Sequence, residues 1–272
     1  MDILCPQILL LFFIFGSLAG FLAGLLGIGG GVILVPLFLW AFPLAGFDPE
    51  VVTHAAFGTS LAIIVPTAIS STFGHRKRGN VNWHQVAYLA LGGVVGAVAG
   101  STLAAGLSGE TLKGLFGVMQ IAVGLKMFRS RSYLPAETQA SVPPAMLLAV
   151  GLLGGCFSSF FGVGGGVIAV PLLVILVRLP IHLAVGNSSA LIVASSLFGA
   201  LLYVLHGWDV SGLALFSFGY VNLLVALLVA PLTIILARAG VRVASRFSHD
   251  KLVKVFSCLL ILVGLRLFAT YF

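Results

Sequence analysis

Apolar residues run through this chain in long stretches, broken only at short clusters of glycine, proline and charge. A helix needs about 20 apolar residues to cross the hydrocarbon core of a bilayer. Dividing the chain at its clusters gives five segments in the first half, over 7–26, 31–45, 52–73, 85–107 and 111–128. Five more follow, over 145–161, 166–179, 182–205, 210–237 and 250–270. The second segment of each half is too short for a full crossing and opens on a glycine cluster. The expectation is an all-α membrane protein, a polytopic helical bundle of about 5+5 segments.

The two halves repeat one another. Gly20 to Leu37 reads GFLAGLLGIGGGVILVPL, and Gly155 to Leu172 reads GCFSSFFGVGGGVIAVPL, 135 residues on. Downstream, His54-Ala55-Ala56-Phe57-Gly58-Thr59-Ser60 answers His182-Leu183-Ala184-Val185-Gly186-Asn187-Ser188. Each half closes alike, with Gly124-Leu125-Lys126-Met127-Phe128 against Gly264-Leu265-Arg266-Leu267-Phe268. These blocks divide the chain into a first membrane repeat over 1–130, a polar linker over 131–144 and a second membrane repeat over 145–272.

Composition agrees with a lipid environment. The chain is 60% hydrophobic and 8% charged, where a soluble domain keeps roughly a quarter of its residues charged. The net charge of +7 could suggest nucleic acid, but the basic residues sit between apolar segments, where loops meet anionic lipid. No nucleic-acid partner is expected. The start, Met1 to Pro6, lacks the basic n-region of a signal peptide, so the first apolar run is read as part of the mature chain.

Charge also decides the topology. Five crossings per half turn the halves upside down relative to each other. One face then collects Arg76, Lys77, Arg78, Lys126, Arg129, Arg131, Arg178, Arg238, Arg242, Arg246, Lys251 and Lys254, and the other only Lys113 and Arg266. Four crossings per half would split the basic residues evenly. Lys and Arg gather on the cytoplasmic face, so the expectation is two inverted repeats with basic loops and linker cytoplasmic and both termini outside. Inverted repeats around one central site are a plan used by secondary transporters.

The glycine clusters are the first candidates for chemistry. Gly27, Gly29, Gly30 and Gly31 in one half match Gly162, Gly164, Gly165 and Gly166 in the other, each where a long segment breaks and a short helix begins. A helix start leaves N–H groups without partners and carries positive potential, so two such starts could converge on one anion. The alternative is tight helix crossing, the usual role of small residues in membrane bundles, which is the reading for Gly92, Gly93, Gly96 and Gly100. Neither cluster is a nucleotide loop, because Val32 and Val167 stand where a Rossmann glycine is needed and no Walker lysine follows. Pro36 and Pro171, five residues past each cluster, suggest a kink or shortening of the segment.

Thr59, Ser60, Asn187 and Ser188 form the second constellation. Their donors at matched depth suit an oxyanion, or equally hydrogen bonds between helices. His54 and His182 are equivalent by repeat and lie toward opposite faces, candidates for a proton or anion relay. Every Asp and Glu falls in a loop or at a segment end, so no buried carboxylate is expected to hold a cation. Cys5, Cys156 and Cys258 are widely spaced, with no metal, cofactor or disulfide framework expected.

At the matched GxGGGxxxxP blocks and the Gly-Thr-Ser and Gly-Asn-Ser pair, the sequence resembles the sulfite exporter TauE/SafE family of membrane permeases over essentially its whole length. The resemblance implies a bacterial inner-membrane protein that moves sulfite, sulfonates or related organosulfur anions, with the glycine clusters, Pro36, Pro171, Thr59, Ser60, Asn187 and Ser188 as candidate site. One departure is Asn187 where the first half has Thr59. A small anion and the bilayer are the expected partners, with a homodimer as a further option. The competing readings are a passive channel, a membrane assembly factor and, more remotely, an intramembrane serine hydrolase using Ser60 or Ser188.

Overall fold

The computed structural model describes residues 5–129, 142–243 and 249–269. The linker expected over 131–144 therefore lies mostly outside the described residues. Ten helices follow in order: α1 (Pro6–Leu26), α2 (Gly31–Leu44), α3 (Val52–Arg76), α4 (Trp83–Ala105), α5 (Gly109–Arg129), α6 (Pro144–Phe161), α7 (Gly166–Ile175), α8 (Ile181–His206), α9 (Leu223–Val243) and α10 (His249–Ala269). Among the described residues, six are long and apolar enough to cross a membrane: α1, α3, α4, α6, α8 and α9. α2 and α7, of 14 and 10 residues, are the short glycine-initiated helices.

One expected segment is misplaced. The stretch over 210–237 does not begin a helix at 210. Residues 207–222 form turns and a small antiparallel hairpin, β1 (Ser217–Phe218) and β2 (Val221–Asn222), before α9 starts at Leu223. The residues there are apolar, but Gly212, Phe216 and Gly219 have φ of 82°, 64° and 52°, a backbone no right-handed helix accepts. Apolar composition alone does not make a helix.

Close packing at small residues sets the helix directions. Gly16, Gly20 and Gly24 of α1 lie against Val229, Thr233 and Ala237 of α9, so the two run parallel. α3 joins them: Thr67 and Thr233 share a hydroxyl hydrogen bond of 2.6 Å, and Gly74 touches Val241. On the other side, Gly92, Gly96 and Gly100 of α4 lie on the backbone of Leu148, Leu152 and Cys156 in α6, again parallel. A methyl at any of these three would overlap a carbonyl oxygen of the facing helix, which assigns them to helix packing. α5 and α10 pair antiparallel, Gly117 by Gly264 and Gly124 by Ser257.

α2 and α7 are return strokes. α2 folds back along α1, with Gly30 beside Ala19 and the Phe38 ring 5.9 Å from Phe12. α7 folds back along α6, with Gly165 beside Ser158 and Ala169 beside Gly154. Pro36 and Pro171 sit inside these helices without ending them. Five alternating strokes per half result, which places α3 and α8 side by side at the centre, running oppositely. His54 and the end of α8 share one end of the bundle, and His75 and the start of α8 share the other.

Candidate functional site

The two glycine turns meet between the midpoints of α3 and α8. Gly27 and Gly162 terminate α1 and α6 in the left-handed conformation, at φ of 66° and 68°, and Gly30 and Gly165 precede α2 and α7 at 80° and 72°. A side chain is strained at such angles, so glycine is needed for the reversal. A Cβ on Gly29 would lie 3.1 Å from the Val163 carbonyl oxygen and 3.3 Å from Gly164 Cα. A Cβ on Gly31 would come within 2.6 Å of Val163 Cα, and one on Gly166 would overlap the Gly27 carbonyl. The backbones of the two turns are therefore in direct contact. Ile64 and Ile192 flank them, and the turns are closed on each other without space for an anion between Gly31 and Val163. Beside Val163 and Gly165 lies a cavity of about 10 Å³, bounded by Met119, Phe157, Phe161 and Val167, room for roughly one water.

The structure accounts for each residue of the Gly-Thr-Ser and Gly-Asn-Ser tripeptides, and each reaches into the opposite half. Ser60 Oγ donates to the Gly162 carbonyl at 2.8 Å, and Ser188 Oγ donates to the Gly27 carbonyl at 3.2 Å. Both hydroxyls thus hold the glycine turns. Thr59 Oγ1 accepts from the Asn222 N–H at 3.0 Å, and Asn187 Oδ1 accepts from the Asn82 N–H at 2.8 Å. Gly58 packs against the Tyr220 backbone and Gly186 against that of Asn80. Thr59, Ser60, Asn187 and Ser188 are fully buried, where an unmade hydrogen bond would be expensive.

These partners expose a motif missed from sequence: Gly79-Asn80-Val81-Asn82 and Gly219-Tyr220-Val221-Asn222, 140 residues apart. Gly79 and Gly219 both take positive φ, and Asn82 and Asn222 both accept from the N–H three residues on, capping α4 and α9. Each forms a hook at one end of the bundle, seated on the tripeptide of the other half. The hooks are unequal. Asn187 Nδ2 also donates to Gln85 Oε1 at 2.7 Å, and Val225 stands at the place equivalent to Gln85 in the other hook.

Gln120 is a second residue that sequence reasoning passed over. Pro36 lacks the N–H that would bond the Val32 carbonyl four residues back, and Gln120 Nε2 supplies it at 2.9 Å. Gln120 Oε1 is buried and has no hydrogen-bond partner among the described residues. Pro171 likewise lacks the N–H that would bond the Val167 carbonyl, and no glutamine takes its place among the described residues.

His54 and His182 are not brought together. His54 is buried, its Nε2 3.2 Å from the Ala104 carbonyl and its ring stacked on Tyr220 at 4.9 Å. His182 is exposed at the opposite end, near His75, whose Nε2 lies 3.2 Å from the Gly24 carbonyl. Among the described residues, the buried polar side chains are Ser, Thr, Asn, Gln, His and Tyr only. Any anion in this core would be held by neutral donors and helix N-termini.

The family model described as "Sulfite exporter TauE/SafE" matches residues 12–267. A "Probable membrane transporter protein" of Xylella fastidiosa is 34% identical over 194 residues, covering 70% of this chain and 72% of its own length. One of Haemophilus influenzae is 30% identical over 96% of this chain and 98% of its own, and one of Methanocaldococcus jannaschii 29% over 94% and 93%. No solved structure matches the chain. Six membrane-length helices, a buried core without carboxylates and a match over nearly the whole length lead to one assignment: this multi-pass membrane transporter belongs to the sulfite exporter TauE/SafE family.

Proposed function

We propose that the protein is a secondary carrier that exports a small anion, sulfite or an organic sulfonate, by alternating access between two inverted halves. The observation that carries this is the meeting of the α2 and α7 starts at the bundle centre, each turn held by a serine of the opposite half. The dipoles of both helices, with those first-turn N–H groups that do not already bond the Gly30, Gly164 and Gly165 carbonyls, provide positive potential at one point. With no buried Lys or Arg among the described residues, binding there is loose enough for release. Both hooks are docked, so the conformation corresponds to a carrier shut at its two ends.

The end that carries Arg76, Lys77, Arg78, Lys126, Arg129, Arg178, Arg238 and Arg242 is cytoplasmic in this reading, and both termini are outside in a bacterial inner membrane. A hydrolytic role is disfavoured by Ser60 and Ser188 themselves, whose hydroxyls are engaged with glycine carbonyls and have no histidine bonded to them among the described residues. The test is sulfite efflux from loaded proteoliposomes. A carrier saturates and shows counterflow; a channel gives flux without counterflow; an assembly factor gives no flux. Either of the last two results overturns the proposal, as does wild-type transport by variants carrying leucine at Gly30 or Gly165.

A further inference from the structure

The end of the bundle around His54 holds three polar atoms that are buried and have no hydrogen-bond partner among the described residues: His54 Nδ1, Tyr203 Oη and His206 Nδ1. They belong to one cluster. The His54 ring stacks on Tyr220, Tyr203 meets the same Tyr220 ring edge-on at 6.4 Å, and His206 lies within electrostatic range of His54. Tyr220 is the second residue of the hook docked on Thr59. The opposite hook carries Asn80 at the equivalent place, its N–H on the backbone carbonyl of the buried His75 at 3.1 Å, so among the described residues it is the 219–222 hook that stacks a ring on an imidazole.

The hydrogen bonding of His54 defines its protonation in this state. A carbonyl only accepts, so Nε2 carries a hydrogen to bond Ala104, and Nδ1 of the neutral ring is a bare lone pair. Adding a proton at Nδ1 would create a cation stacked on Tyr220, beside a second imidazole, in a 6% exposed position. The groups facing it are His206 from α8, Tyr220 from the hairpin with Tyr203 of α8 behind it, the Ala104 carbonyl at the end of α4 and the Leu107 carbonyl beyond it. The charged residues of this end are Asp48, Glu50, Glu110, Lys113, Asp209 and Arg266. Its four acids are exposed, and none is hydrogen-bonded to either ring among the described residues. A proton there lacks a counter-charge while the hook is docked, and gains water or an anion once the hook lifts.

We propose that His54, Tyr203 and His206 form a proton-binding site that controls the hook over 219–222, so that this end of the transporter opens with a proton bound and closes when it is released. Only its transport consequence, a proton travelling with the anion at this end, rests on the carrier reading. The hook behaviour does not. By linkage, whatever binds the proton better in the open state is driven open by acid. Between about pH 7.5 and 5.5 the change falls on imidazoles, because carboxylates titrate near 4 and tyrosines near 10.

Hydrogen–deuterium exchange of the full chain in nanodiscs, corrected for intrinsic rates, reads the hook directly. In the wild type, amides of 219–222 should exchange several-fold faster at about pH 5.5 than at about pH 7.5. His54→Gln, which keeps a donor for Ala104, should remove the acid response, and His75→Gln at the other end should leave it intact. Should His54→Gln fail to fold, His206→Gln carries the same expectation. A hook whose exchange ignores pH in the wild type, or an acid response that survives in His54→Gln and His206→Gln, overturns the proposal. Sulfite counterflow on the same preparations separates the two readings: its absence in the wild type defeats the anion-carrier proposal and leaves the exchange result to decide the proton site.

Discussion

Two alanine substitutions separate the space between the glycine turns from the strain of a left-handed backbone. Gly31 has an ordinary φ, but a methyl there would lie 2.6 Å from Val163 Cα, 2.7 Å from the Gly162 carbonyl oxygen and 2.8 Å from Ile64 Cδ1. Carbon atoms settle at about 3.5–4.0 Å, so the two turns must separate by roughly 1 Å. Gly46, in the α2–α3 connection, is the converse: its φ is 84°, and a methyl there meets nothing within 4 Å. Overpacking costs about 1–3 kcal/mol and the left-handed backbone about 1–2 kcal/mol, so the variants should be destabilised alike. Their transport should differ. In the loaded conformation, where an anion would touch N–H groups of both turns, a 1 Å shift of one turn stretches an N–H···O contact from about 2.9 to about 3.9 Å, beyond hydrogen-bonding range. Each bond to a charged group contributes about 1.5–3 kcal/mol, so losing one weakens anion binding roughly tenfold to a hundredfold. Sulfite efflux, with thermal melts of both variants as the control for folding, provides the readout. Equal efflux from Gly31→Ala and Gly46→Ala would refute the idea that the meeting of the turns is the binding element.

Three further outcomes follow from the same contacts. Ser60→Ala and Ser188→Ala should each cost about 0.6–1.7 kcal/mol of stability, measured by denaturation in bicelles, and the double variant should depart from additivity because the two bonds hold turns whose backbones touch. Asn187→Leu should cost more than Thr59→Val, since it strands both the Asn82 N–H and Gln85, and exchange of amides 79–82 should rise while 219–222 stay protected. Gly96→Leu in the α4–α6 seam should lower the yield of folded protein sharply, whereas in any folded remainder the sulfite affinity should be unchanged.

Much of the helical plan is written in the apolar stretches, and the glycine and Gly-Thr-Ser blocks announce the duplication plainly. The hooks escaped because the repeat spacing drifts: 135 residues between the glycine turns, 128 between the tripeptides, 140 between Gly79 and Gly219. An α7 shorter than α2 and connections of different length cause the drift, and a four-residue motif at a new offset is not visible by register alone. The hairpin at 217–222 escaped for another reason, since Leu213 to Tyr220 is as apolar as a membrane helix while its backbone is not helical. The roles of Ser60 and Ser188 were open from sequence, where a hydroxyl facing a substrate and one facing a carbonyl read the same. His54 and His182 are equivalent in the repeat, but only tertiary packing could show that their neighbours are Tyr220 and His206 in one case and His75 in the other.

The departures from symmetry between the halves carry more information than the symmetry. Two identical gates around one site would open with equal ease, and nothing in the protein would distinguish loading from release. Here Asn187 holds its hook with two hydrogen bonds where Thr59 holds the other with one. Tyr220 stacks its ring on the His54 imidazole, whereas Asn80 meets His75 through the backbone carbonyl. Gln120 braces the α2 start, and the α7 start has no such brace. Each hydrogen bond contributes about 1 kcal/mol, and differences of that size shift a two-state equilibrium about fivefold. The hook at the His54 end therefore has fewer side-chain hydrogen bonds to the opposite half, and it is the one whose ring stacks on an imidazole. Those two facts reinforce each other: a latch that a single proton is to release cannot also be the one most tightly bonded.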